Sequence, residues 1–172
     1  MMQMLAAGGM SILTDGERTA DEDNPRGYLE WEAAKQLPQK PNLIAEAEGK
    51  AVKVISQLLL ALPNTYQYHV IFMKRPLPEV VKSQSEMIRR RGSTGAAVAP
   101  EQLIALFQTH LTQVTNWMKS NANVKFCPVS HHDLLSTPAA VCATVQQFLG
   151  LPLDTTAMAA QVDSSLYRQR QT

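Results

Sequence analysis

Cysteine is scarce in this sequence of 172 residues, which holds only Cys127 and Cys142. Two thiols make no disulfide framework and match no zinc spacing, so both are expected as small buried apolar residues in a reducing, cytoplasmic setting. An excess of charge of either sign is also lacking. A formal net charge of +1 gives no general attraction to nucleic acid or to acidic membranes. The basic run Arg89-Arg90-Arg91 spreads over different helix faces, where such side chains are ordinarily solvated, so no nucleic-acid partner is expected. Long apolar runs are missing too. Val54 to Leu62 is broken by Ser56 and Gln57, and no membrane span is expected. The opening stretch, Met1 to Gly9, has no basic region and is too short for a secretory signal. It reads instead as the last turns of a helix ended by Gly8-Gly9. The acidic residues Asp15, Glu17, Asp21, Glu22 and Asp23 lack the glycine and closing glutamate of a calcium loop, and read as a solvated loop. His131-His132-Asp133 brings no further ligand pattern, so no metal is expected. No internal repeat or low-complexity block occurs.

What is present is ordinary for a folded domain: 45% apolar and 18% charged residues, with room for one sizeable core across residues 1–172. Met10 to Thr14 is a short strand candidate. After the turn signal Asn24-Pro25-Arg26-Gly27, a helix is expected over Tyr28–Leu37, closed by Pro38 and Pro41. A second strand, Ala51–Ile55, and the helical-type run Leu58–Leu62 lead to Tyr68–Met73, as in a βαβ unit. Pro100–Ser120 is the clearest amphipathic helix, with Leu103, Phe107, His110, Leu111, Val114 and Met118 on one stripe. On that stripe His110 reads as a hydrogen-bonded core residue rather than a catalyst. Val124–Val129 is a third strand. Helices follow from Thr137-Pro138 to Gly150 and over Asp154–Gln161. Strands separated by helical segments predict an α/β fold: an open, mainly parallel sheet, helices on both faces, and Tyr68–Met73 inside it.

The chemistry gathers where that central strand ends. Tyr68–Met73 runs into Lys74-Arg75, then Pro76 and Pro78 stop the ladder while permitting a helix to start. Val80, Val81, Gln84, Met87 and Ile88 continue at helical spacing. Arg75 therefore stands at the carboxyl end of a parallel strand, the edge where open α/β sheets bind ligands, with a helix start that favours anions beside it. Its guanidinium offers a forked donor and Ser83, eight residues on, a hydroxyl. The plainer alternative pairs Arg75 with Glu79 and leaves Ser83 on a helix face. Glu30 is a candidate general base if buried, and otherwise an exposed helix-start carboxylate.

Val70-Ile71-Phe72-Met73-Lys74-Arg75 with Val80 and Ser83 resembles the 3′-phosphate-binding element of the sulfotransferase family. The likeness extends over Gly8–Arg18, Asp23–Glu30, Val124–Pro138 and Val162–Arg170, and is closest to bacterial sulfotransferase-like proteins. It implies a P-loop-type α/β fold and transfer of a sulfo group from PAPS (3′-phosphoadenosine 5′-phosphosulfate) to a hydroxyl or amine. Arg75 and Ser83 would hold the 3′-phosphate, Arg168 and Arg170 would add donor contacts, and Glu30 would be the candidate catalytic base. One family feature is absent from the sequence: the Pro-Arg/Lys-Ser-Gly-Thr loop that grips the 5′-phosphosulfate between the first strand and helix. The expectation is that it lies upstream of Met1, with the first strand missing from these residues and an exposed sheet edge inviting self-association. The alternative reading is a non-catalytic module of the same fold that binds a 3′-phosphonucleotide or a protein partner. A P-loop kinase relative fits Arg75 and Ser83 less well.

Overall fold

The computed structural model describes residues 1–17, 20–21, 24, 27–90 and 99–163. Its elements are helix α1 (Met2–Ala7), strands β1 (Ile12–Leu13), β2 (Ala51–Val52) and β3 (Tyr68–Lys74), and helices α2 (Leu77–Arg90) and α3 (Pro100–Ser120). Strand β4 (Val124–Ser130) and helices α4 (His131–Ser136), α5 (Pro138–Leu149) and α6 (Thr155–Ala160) follow. Three 3-10 segments, Glu32–Gln36, Pro41–Ala47 and Ser56–Ala61, fill the connection from β1 to β3. Local chemistry explains the boundaries. Pro100 and Pro138 open α3 and α5, where a missing N–H costs nothing. Ser130 and Asp154 cap α4 and α6, accepting from the backbone N–H of Asp133 and Ala157. Gly150 ends α5 in the left-handed region, φ +66°, which other residues enter only under strain.

The strands pair as two parallel couples, β1 with β2 and β3 with β4. This is a mixed α/β architecture with parallel pairing. The sheet expected to be continuous is instead divided among the described residues, and β3 is paired on one side only. The second strand is also shorter than Ala51–Ile55, because its partner β1 offers two residues; Ile55 stays extended but lies beyond the ladder. In the β3–β4 ladder the Tyr68 N–H donates to the Asn123 carbonyl at 2.8 Å. Alternation then turns the N–H groups of His69, Ile71 and Met73 to the other edge of β3. On β4 one of the positions that face outward is Pro128, which has no N–H, so that outer edge loses a donor.

Helices cover both faces of the β3–β4 pair. On one side Ile71, Cys127 and Val129 pack with Met4 and Leu5 of α1, Cys142 and Val145 of α5, and Met158 of α6. On the other, Val70, Phe72, Val124 and Phe126 meet Val114 and Met118 of α3 and Leu59. Both cysteines are buried, and burial pushes both thiols up, away from reactive thiolate. His110 is bonded as expected: its Nε2 lies 2.9 Å from Ser56 Oγ, tying α3 to the Ser56–Ala61 segment. The two strand pairs are neighbours without hydrogen bonds. Ala51 packs against the same cluster as Ile71, and Val52 against the same cluster as Tyr68.

That third cluster, around Trp31, Leu37 and Ile44, anchors the long connection. Leu37 is 0% exposed, so Leu37→Ala is expected to lower stability by about 2–5 kcal/mol through lost transfer energy and a cavity. Urea unfolding should show an earlier midpoint with an unchanged slope. A loss under about 1 kcal/mol would mean that the connection collapses onto the vacated space.

Candidate functional site

Parallel pairing in register sets Lys74 beside Ser130, so the next residues, Arg75 and His131, leave adjacent strands side by side. Both begin or precede a helix there: α4 starts at His131, and α2 two residues after Arg75. Glu79 stands in the first turn of α2, where the helix dipole favours a carboxylate. Arg75 Nε donates to Glu79 Oε2 at 2.9 Å. The Glu79 side chain is 6% exposed and that of Arg75 is 25% exposed. A carboxylate this buried is tolerable only with a charged donor beside it. The Arg75–Glu79 pairing that the sequence left as the plainer alternative is thus formed.

Ser83 is half-buried one turn after Glu79, and residues four apart share a helix face. Arg75, Glu79 and Ser83 therefore follow one line along the start of α2, although no hydrogen bond joins Ser83 to Arg75. A shallow groove of about 300 Å³ opens on a different face of α2, lined by Val81, Ser85, Pro100 and Ile104 among others, and contains neither residue. Arg168 and Arg170 lie outside the described residues.

His131 was set aside in sequence as part of a failed metal pattern, yet the register brings it to the site. Burial, and next the Arg75 guanidinium, hold His131 below the ordinary histidine range, opposed by Glu79. The unfolded chain then takes up the proton first as pH falls below 6.5, the ordinary value. Stability is therefore expected to fall as pH drops from 6.5 toward the lower folded value, and His131→Gln should flatten that part of the profile. Thermal melts of both proteins between pH 7 and 5 provide the check. Parallel profiles for the two would remove His131 from the acid response.

Glu30 sits at the second strand pair. Its Oε1 accepts from Lys53 Nζ at 2.9 Å, and Lys53 also donates to the Tyr28 carbonyl at 3.3 Å and lies 5.7 Å from the Tyr28 ring centre. The helix expected over Tyr28–Leu37 is not formed at its start. Thr14 Oγ1 and the Asp15 N–H both donate to the Glu30 carbonyl, at 2.9 and 3.3 Å, and Trp31 is extended. Leu29 takes φ +47°, unfavourable for a bulky residue, and only Glu32–Gln36 winds, as a 3-10 segment. Asp15 accepts from the backbone N–H of Glu32, which with Glu17 holds its carboxyl below the usual range. Glu30 is consequently half-buried and ion-paired, not an exposed helix-start carboxylate. Lys53 was missed in sequence, though it follows β2 as Arg75 follows β3, and the same strand-end rule would have found it.

Among the described residues no group of three or more histidine, cysteine or acidic side chains is placed to hold a metal ion. No described helix is long and apolar enough to cross a membrane. Comparison with protein-family models, with curated proteins and with solved structures yields no match.

Proposed function

We propose that the chain is a sulfotransferase-like domain of P-loop type that binds the 3′-phosphate of PAPS, or of the product PAP, at the carboxyl ends of β3 and β4. The observation that carries this reading is Arg75 at the end of a parallel strand, with Ser83 on the same face of the helix that follows. Arg75 supplies the charged donor and Ser83 a hydroxyl, while Arg168 and Arg170 are further candidate contacts. In the full reaction an acceptor hydroxyl or amine attacks the sulfur of PAPS, the bond from sulfur to the bridging phosphate oxygen breaks, and PAP leaves. Glu30 is the candidate base that takes the acceptor's proton, held in place by Lys53. A cytoplasmic setting accompanies this reading, with both thiols buried and unpaired.

A non-catalytic module that only binds the 3′-phosphonucleotide, or a protein partner, is the second reading. It is favoured by one specific feature: the carboxylate of Glu30, the candidate base, is already engaged by Lys53 at 2.9 Å. Titration calorimetry with PAP and with AMP, which lacks the 3′-phosphate, tests the part the two readings share. Clear preference for PAP supports it, and equal affinity or no binding refutes it. Release of PAP from PAPS in the presence of a hydroxyl or amine acceptor then separates catalyst from module.

A further inference from the structure

The bond between Ser56 and His110 joins a hydroxyl to a base, and neither group has a part in the 3′-phosphate site. We propose that the two form a nucleophile–base dyad that accepts a short apolar acyl group from an ester. Ser56 Oγ lies 2.9 Å from His110 Nε2, within the reach that a general base needs. With the neutral ring protonated at Nδ1, the Ser56 hydroxyl donates to Nε2. The residues stand 54 apart in the chain, so packing of α3 on the Ser56–Ala61 segment brings them together, not a local turn. His110 belongs to the apolar stripe of α3, yet both partners are only half-buried, which leaves the hydroxyl within reach of a ligand.

The packing sets the dyad at the open end of that contact. Leu59, one 3-10 turn after Ser56, shares a buried cluster with Val114, one α-helical turn after His110. The two elements therefore run alongside each other in the same direction. Followed backward, the line leads from Ser56 to Ile55, and from His110 to Leu106 on the preceding turn of the same helix face. Ile55 is 56% exposed and Leu106 62% exposed, whereas Val114 is 0% exposed. One end of the contact is sealed, and the other shows two large apolar side chains beside the hydroxyl. Apolar contact with a convergent polar pair suits an acyl chain whose carbonyl sits at Ser56.

In the step proposed, Ser56 Oγ attacks the ester carbonyl carbon and its proton passes to His110 Nε2. The bond from that carbon to the leaving oxygen breaks, and the leaving group departs with the proton. Water then attacks the acyl-serine by the same route, which releases a carboxylic acid and restores both groups. The His110 ring makes no other hydrogen bond among the described residues, so no third group orients it as in a full triad. The expected reaction is accordingly slow, and confined to activated esters.

The test treats the complete 172-residue chain with p-nitrophenyl butyrate and p-nitrophenyl acetate, following p-nitrophenol release and locating the acyl adduct by mass spectrometry. The expected result is release that Ser56→Ala lowers to the buffer rate, a butyryl group on Ser56, and PAP affinity unchanged in that variant. His110→Gln can keep a hydrogen bond to Ser56, and so the tie between the elements, but takes up no proton. It should slow release by roughly a hundredfold while its thermal melt stays near that of the parent chain. Ile55→Ser with Leu106→Ser should slow the butyrate reaction more than the acetate. Release that is equal in Ser56→Ala and the parent, acylation only at other residues, or an unchanged rate in His110→Gln would each overturn the dyad. If His110→Gln does not fold, Ser56→Ala, which removes only the nucleophile, decides.

Discussion

Arg75→Ala is expected to weaken PAP binding by roughly ten- to a hundredfold while leaving AMP almost unaffected. A hydrogen bond to a charged group contributes about 1.5–3 kcal/mol, and each 1.4 kcal/mol is about tenfold in affinity. The substitution has a second consequence, because it removes a charged donor from beside the Glu79 carboxylate, whose side chain is 6% exposed. Leaving a buried charge without its partner costs about 3–5 kcal/mol in comparable pairs, so the melting temperature should fall as well. The two effects are separable by nucleotide. Instability lowers the active fraction for PAP and AMP alike, whereas loss of the phosphate contact acts on PAP alone. Arg75→Ala combined with Glu79→Ala should recover part of the stability and none of the PAP affinity. Ser83→Ala should cost less, nearer about 1 kcal/mol for a neutral hydrogen bond. Equal losses for both nucleotides, or none for either, would show that Arg75 serves the fold and not a ligand.

The legible parts of this chain are those in which local pattern and tertiary demand agree. β3 was readable because Tyr68–Met73 is apolar without alternation, and the structure covers both its faces. α3 and α5 announced themselves through 3.6-residue periodicity and a proline at the start, and α5 through Gly150 at its end. Failures occurred where distant contacts decided. Tyr28–Leu37 has a helical pattern, but Thr14 and Asp15 reach across to Glu30 and pull its carbonyl out of any helical ladder. His131 belongs to the site only through the register of β3 on β4, which no local motif encodes. The pairing of Arg75 with Glu79 was foreseen as an alternative to ligand binding. In the fold that pairing is formed, with Arg75 Nε 2.9 Å from Glu79 Oε2.

The divided sheet leads to the other large effect. The β1–β2 and β3–β4 pairs form separate ladders, which leaves strand edges without a ladder partner among the described residues, the His69, Ile71 and Met73 side of β3 among them. Apolar side chains stand uncovered nearby: Ile55 is 56% exposed just past β2, and Met73 38% exposed on β3. Unpaired edges and uncovered apolar surface promote association between chains. A single added strand of five or six residues would bury surface worth about 25 cal/mol per Å², hence several kcal/mol, against a typical domain margin of about 5–15 kcal/mol. Residues 1–172 by themselves are therefore expected to self-associate or melt at low temperature, and to release no PAP from PAPS. Joining a strand, a Pro-Arg-Ser-Gly-Thr loop and a helix start, roughly twenty residues by ordinary element sizes, ahead of Met1 should raise the melting temperature and favour a monomer. It should also bring sulfo transfer, because the loop's backbone N–H groups and basic side chain would grip the group that moves. The two additions can be told apart: the strand without the loop should recover stability but no turnover. Sedimentation, thermal melts and PAP release from PAPS measure the three outcomes. A monomeric 172-residue chain that melts cooperatively at ordinary temperature and consumes PAPS unaided would show that those edges are already covered and the chemistry already complete.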